Sequence, residues 1–172
     1  MLNKRLNFKG FKLLMWLIFL IYLAILVEVV ILKNGTAITI ARSRAALGLE
    51  MPLSKRIAYS NFIPFKTILL YISGQGYNII QNIFGNILVF IPLGFLLPIL
   101  FNNCKRLNNT IFISILVSAS IETIQLLFNL GSCDIDDLIL NTLGSIIGFV
   151  IYNNINFSIA NKLKLEIKTK NK

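Results

Sequence analysis

Residues 11–32 read FKLLMWLIFLIYLAILVEVVIL, and their only charged members are Lys12 at the start and Glu28 near the end. A helix rises 1.5 Å per residue, so about 20 apolar residues cross the ~30 Å hydrocarbon core of a bilayer. Lys4, Arg5, Lys9 and Lys12 lead into the run as the basic region of a signal peptide would. The apolar stretch is longer than a signal core of about 7–15 residues, and no small-x-small cleavage site follows, so an uncleaved first membrane helix is expected. Three more apolar stretches recur at about 78–101, 110–130 and 134–152.

Composition agrees with this reading. Of 172 residues, 56% are hydrophobic and 14% charged, with a mean hydropathy of +0.75. A soluble domain carries roughly 25% charged residues. The sequence therefore predicts an all-α, polytopic membrane protein forming a single domain over 1–172, with about four transmembrane helices. In the connection 33–78, residues 57–71 are partly apolar and broken by Pro64, too short to span. An interfacial or re-entrant segment and an ordinary amphipathic loop helix both fit them. Pro92 and Pro98 predict a kink or a helix end in the second span. Gly131 is the expected C-cap of the third and Asp134 the N-cap of the fourth.

The net charge of +10 does not point to nucleic acid, because the basic residues flank the apolar runs and no binding motif accompanies them. Eleven of the seventeen lie before the first helix, in the 102–109 turn or in the tail after Asn161, and six lie in 33–78. The positive-inside rule then places both termini in the cytoplasm and the long connection outside. With no His, and with Cys104 and Cys133 in different connections on opposite sides of the membrane, neither a zinc site nor an intramolecular disulfide is expected. No metal or cofactor motif is present.

With that topology the polar intramembrane residues gather toward the outer ends. Ser118, Glu122, Gln125 and Asn129 follow 4, 3, 4 spacing, as do Asp137, Asn141, Gly144 and Gly148, while Asn78, Gln81, Asn82, Gly85 and Asn86 occupy the outer part of helix two. Such spacing puts each set on one helix face. A carboxylate in hydrocarbon costs roughly 2.5–3.5 kcal/mol on insertion scales, so these faces turn toward protein or water. They should converge on an outward-facing polar pocket lined by Asn82, Asn86, Ser118, Glu122, Gln125, Asp137 and Asn141. Glu122, about eight residues or ~12 Å from its helix end, is the deepest acid. It is either a ligand-facing group or a hydrogen-bonded residue that joins helices. Asp136 and Asp137 are further acid candidates beside it, and Gly144-x-x-x-Gly148 permits close helix approach within the monomer.

Four stretches, NFIPFKTI at 61–68, GNILVFIPLG at 85–94, IETIQ at 121–125 and DIDDLILNTLG at 134–144, resemble the VanZ-like membrane proteins of Gram-positive bacteria. The resemblance covers about 55–152. Its motif positions fall here on Asn61, Pro64, Phe65, Asn86, Pro92, Gly94, Glu122, Gln125, Asp134, Asp137, Asn141 and Gly144. It implies a cell-envelope role, and the founding member is associated with teicoplanin resistance. Many relatives carry Arg where this chain has Ser132. The favoured function is binding an amphiphilic or lipid-linked ligand at the outer leaflet, with membrane lipids and a lipid-linked envelope precursor or lipoglycopeptide as partners. The alternative is an enzyme acting on lipid-linked phosphate or glycan, with Glu122 and Asp136 or Asp137 as acid and base. A transporter is disfavoured, since four helices without internal repeats form a poor path.

Overall fold

The computed structural model describes residues 2–31, 36–73 and 79–170, with the side chains of 10–30, 38–73, 82–159 and 161. Among these the chain is helical and has no strand. Helix α1 (Leu2–Leu26) continues as a π-helical turn, Val27–Ile31. Then come α2 (Thr36–Ala46), α3 (Leu53–Ala58), α4 (Lys66–Ile72), α5 (Ile79–Leu100), a 3-10 turn at Asn102–Lys105, α6 (Leu107–Leu127) and α7 (Ile135–Lys170). Four stretches are long and apolar enough to cross a membrane: Gly10–Val30, Asn82–Leu100, Leu107–Leu127 and Ile135–Ile159. Their outward faces expose Leu13, Leu17, Ile21, Leu88, Phe112, Leu116 and Val150, as lipid-facing residues must. The protein is a polytopic all-α membrane protein.

The most extensive packing is between α5 and α7. Small residues make it possible. A Cβ on Gly94 would collide with the Ser145 carbonyl, one on Gly144 with the Ile87 carbonyl, and one on Gly148 with the Ile91 carbonyl. Ser145 Oγ donates to the Phe90 carbonyl at 3.3 Å. The glycine stripe is thus occupied inside the chain. Around it a core collects Phe19, Tyr22 and Leu26 from α1, Phe90, Leu93, Leu96 and Leu97 from α5, and Ile121 from α6.

Helix α5 runs through Pro92 and ends at Leu100, two residues after Pro98, which is one of the two outcomes expected of those prolines. Two other helix ends need correction. Helix α7 continues far beyond residue 152, as one helix to Lys170. Asn129, not Gly131, terminates α6: it takes the left-handed conformation (φ 55°), and the Leu130 amide donates to the Gln125 carbonyl at 2.9 Å. Asn is second only to Gly in tolerating that conformation, so a residue counted in the polar stripe is the cap. The expected capping by Asp134 is present, since its Oδ1 accepts the Asp136 amide at 2.8 Å.

The connection 36–73 holds three short helices and is tied to the bundle by polar bonds. Neither α3 nor α4 has a buried residue. Arg56 donates to the carbonyls of Leu126 and Leu127 at 3.1 and 2.8 Å, serving orphan acceptors at the end of α6. Asn61 forms a one-residue parallel bridge with Asp134, through Asn61 N to Cys133 O and Ile135 N to Asn61 O, both 2.9 Å. The connection therefore lies over the ends of α6 and α7. The ends of the first and second expected spans, at Leu32 and Asn78, fall outside the described residues.

Candidate functional site

At the same end of the bundle, residues of α5, α6, α7 and the π-helical turn line a cavity of about 420 Å³. Six of the seven expected pocket residues line it: Asn82 and Asn86 from α5, Glu122 and Gln125 from α6, Asp137 and Asn141 from α7. The seventh, Ser118, is fully buried beneath the floor, where its Oγ accepts the Asn141 Nδ2 at 2.9 Å. Asn78 and the side chain of Gln81 lie outside the described residues, and Glu28 is exposed.

Three acids that look alike in sequence have different surroundings. Asp134 accepts from Asn61 Nδ2 at 2.9 Å and from Thr67 Oγ1 at 2.7 Å, as well as capping its own helix. Asp136 has no exposed surface and does not line the cavity. Its carboxylate accepts the amides of Phe65, Thr67 and Ile68 at 2.5, 2.7 and 3.1 Å, gathering the start of α4. This takes Asp136 out of any acid–base pair: consecutive helix positions are about 100° apart, so only one of the two neighbours can share the face of Asn141. Asp137 is that neighbour, and its Oδ1 accepts the Asn86 Nδ2 at 2.6 Å. Glu122 Oε2 accepts the Asp134 amide at 2.9 Å, which fixes the deep acid to the start of α7.

The amide side chains are anchored through their nitrogens. Asn82 Nδ2 donates to Tyr71 Oη at 2.9 Å and Gln125 Nε2 to the Val30 carbonyl at 2.8 Å. With Asn86 on Asp137 and Asn141 on Ser118, each lining amide has at least one N–H held by protein. Asn141 Oδ1 is buried and has no partner. Three carboxylates, from Glu122, Asp134 and Asp137, line the cavity, and no Lys or Arg does among the described residues. Their charge is felt outside the spans. Burial first, then Asp137, raises the Tyr71 phenol above its ordinary value, so it stays a donor. Burial first, then Glu122, Asp134 and Asp137, raises the Cys133 thiol. Among the described residues no group of three or more His, Cys, Asp or Glu is placed to hold a metal ion.

The sequence reading did not include Tyr71, Ser132, Asp134 or the valines Val29, Val30 and Val89 among the lining residues. Gly85 was placed on the right face; a Cβ there would meet open space. Tyr71 had no local signal, because it arrives through the fold of the long connection.

The model of the VanZ/LLP1 family matches residues 19–157, reaching into α1 beyond the four motifs. Protein VanZ of Enterococcus faecium is 36% identical over 72 residues, which is 42% of this chain and 44% of that protein. The alignment therefore spans less than half of the relative's length. No solved structure matches the chain.

Proposed function

The chain belongs to the VanZ/LLP1 family, and from that premise we propose that its cavity receives the polar head of an amphiphile in the outer leaflet of a bacterial cell membrane. The observation that carries this is the convergence of three polar helix faces on one 420 Å³ cavity, whereas the buried polar residues Thr110, Ser114 and Ser145 away from it are each bonded to a backbone carbonyl. Polar groups at membrane depth are costly unless they serve packing or a ligand, and the closest backbone approaches of α5 and α7 are made elsewhere, at Gly94, Gly144 and Gly148. The basic residues argue for cytoplasmic termini and an outward cavity. The connection over its mouth exposes Phe62, Ile63, Phe65 and Leu69 beside Lys55 and Lys66, a composition suited to the headgroup zone.

An envelope role follows, with altered susceptibility to teicoplanin-type glycopeptides as the phenotype suggested by the family. Ser132 lines the cavity, so the family's Arg would project a cation into it. Arg56 does not replace that cation, being bonded to the end of α6. The enzymatic reading retains only Glu122 and Asp137.

Gly85→Phe provides the test, because Gly85 lines the cavity and a Cβ there meets open space. Native mass spectrometry of the full chain in mild detergent should find retained lipid on the wild type and little on this variant. Equal retention by both, or none by either, overturns the proposal. A Cys introduced as Ser54→Cys, with Cys104 and Cys133 removed, should react with an impermeant maleimide on intact cells. Reaction only after permeabilisation would put the cavity on the cytoplasmic side.

A further inference from the structure

Given the reading that the cavity holds the head of an amphiphile, the tail has to stay in hydrocarbon, since every methylene moved into water or onto polar groups is costly. A closed ring of helices would force the tail out through the polar mouth. The ring is loosest beside α1, the least buried of the four spans. An apolar groove lies on each side of that helix, one of about 340 Å³ against α5 and one of about 360 Å³ against α6.

The two grooves meet the cavity differently. On α5, Asn82, Gly85 and Val89 line the cavity, and Val89, Pro92 and Leu96 line the α1–α5 groove. Their steps of 3, 4, 3 and 4 make one helix face, polar at the cavity end and apolar beyond it. Helix α1 repeats this in the opposite chain direction. Ile18, Ile21 and Ile25 line the groove, and Val29, in the π-helical turn, lines the cavity. From Val89 to Leu96 the groove runs ~10 Å, most of the ~15 Å depth of one leaflet's hydrocarbon. Its floor is buried, at Tyr22, Leu26 and Leu96, and its rim is exposed, at Ile18, Ile21 and Ile25. The phenol in the floor has a partner, Tyr22 Oη donating to the Val89 carbonyl at 3.0 Å. The α1–α6 groove, walled by Leu23, Leu116, Val117 and Ile124, shares no lining residue with the cavity among the described residues.

We propose that the α1–α5 groove is a lateral slot for the acyl chain of the bound amphiphile, which enters from the surrounding leaflet with its head in the cavity and its tail still among lipid chains. Lipid is as apolar as the groove walls, so the slot adds little affinity. Its role is access, because a tail slides in sideways without leaving the hydrocarbon.

The test reads, by native mass spectrometry in mild detergent, the membrane lipid that the full chain retains from its expression host. Ile25→Trp crowds the α1–α5 groove beside the cavity, and Leu116→Trp crowds the α1–α6 groove as the control. Both residues are more than half exposed, so the core is left alone. Size-exclusion elution checks the fold, and Ile21→Trp, on the same rim, takes the place of Ile25→Trp where that variant does not elute as the wild type does. Retention should fall about five-fold or more in Ile25→Trp and stay at the wild-type level in Leu116→Trp. Wild-type retention in Ile25→Trp, alongside loss in Gly85→Phe, overturns the slot and leaves the amphiphile site standing. An equal loss in Leu116→Trp overturns the choice of groove. Equal retention by wild type and Gly85→Phe, or none by either, removes the cavity reading and the slot with it.

Discussion

Gly85 and Gly144 lie on the two helices that pack most closely, α5 and α7, yet they do opposite things. At Gly144, as at Gly94 and Gly148, an added Cβ runs into the backbone of the other helix. At Gly85 it meets nothing. One residue type lets two backbones touch at one level of the bundle and leaves room at another. The closed level is the apolar half, with Phe90, Leu93 and Leu97 in its core. The open level carries every cavity acid. In a membrane, where lipid is as apolar as a leucine side chain, helix association depends on close packing of this kind. The closed half therefore holds the helices together, and the open half is left to chemistry.

The largest effect should come from attacking the closed half. Gly144→Leu forces a branched side chain against the Ile87 carbonyl, and overpacking of this kind costs about 1–3 kcal/mol or more. Its folded yield, measured by size-exclusion chromatography of detergent extracts, should collapse. Gly85→Phe should elute as the wild type does. Equal behaviour of the two variants would erase the distinction between the halves.

Asp136→Ala comes next. It strands three backbone amides of residues 65, 67 and 68 at the start of α4 and should lower stability by about 3 kcal/mol. Thermal unfolding in detergent measures it. Asp137→Ala, at the cavity surface with Asn86 as its amide partner, should cost less. A larger loss for Asp137→Ala would make it the structural acid.

These two residues also show how far the sequence could be read. The length of the apolar runs found the four spans, and periodicity found the three polar faces, because a helix repeats every 3.6 residues whatever it packs against. It also put Asp137, Asn141 and Gly144 on one face. It did not reveal that Asp136 belongs to a loop about 70 residues away, because nothing near Asp136 encodes the geometry of NFIPFKTI. The Asn61 side chain accepts the Ile63 amide at 3.1 Å, a local turn signal, but the bridge from Asn61 to Asp134 is purely tertiary. Likewise Gly131 is the better left-handed residue by propensity, and Asn129 takes that role because α6 ends at Leu127, before the expected end at residue 130.

A smaller effect reads the field of the open half. The Cys133 thiol is raised by burial and by three carboxylates, so at pH 8 less of it is thiolate than for an ordinary cysteine. With Cys104 removed, maleimide should label it slowly at pH 8 and faster as pH rises toward 9.5. Ser132→Arg, adding a neighbouring cation, lowers the thiol and should speed labelling at pH 8. No change on adding the arginine would mean that the carboxylates do not set the potential there.

The smallest structural effect, and the sharpest functional one, belongs to Glu122→Gln. Its Oε2 accepts the Asp134 amide, and a glutamine oxygen can accept the same bond in nearly the same shape. Folded yield and melting temperature should stay close to wild type. If Glu122 only joins α6 to the start of α7, function should survive as well. If it carries charge for a ligand or a proton for a reaction, function should fail although the protein is folded and in the membrane. Asp137→Asn is its companion: an asparagine there keeps an acceptor for Asn86 and removes the charge. The readout is glycopeptide susceptibility of a deletion strain complemented by each variant at matched expression, with wild type and Gly85→Phe as the two limits. Full complementation by both charge-neutral variants, alongside failure of Gly85→Phe, would leave a cavity whose shape matters and whose charge does not. Failure of both would place the acids at the centre of what the open half does, and separate them from Asp136, whose role is to hold the fold.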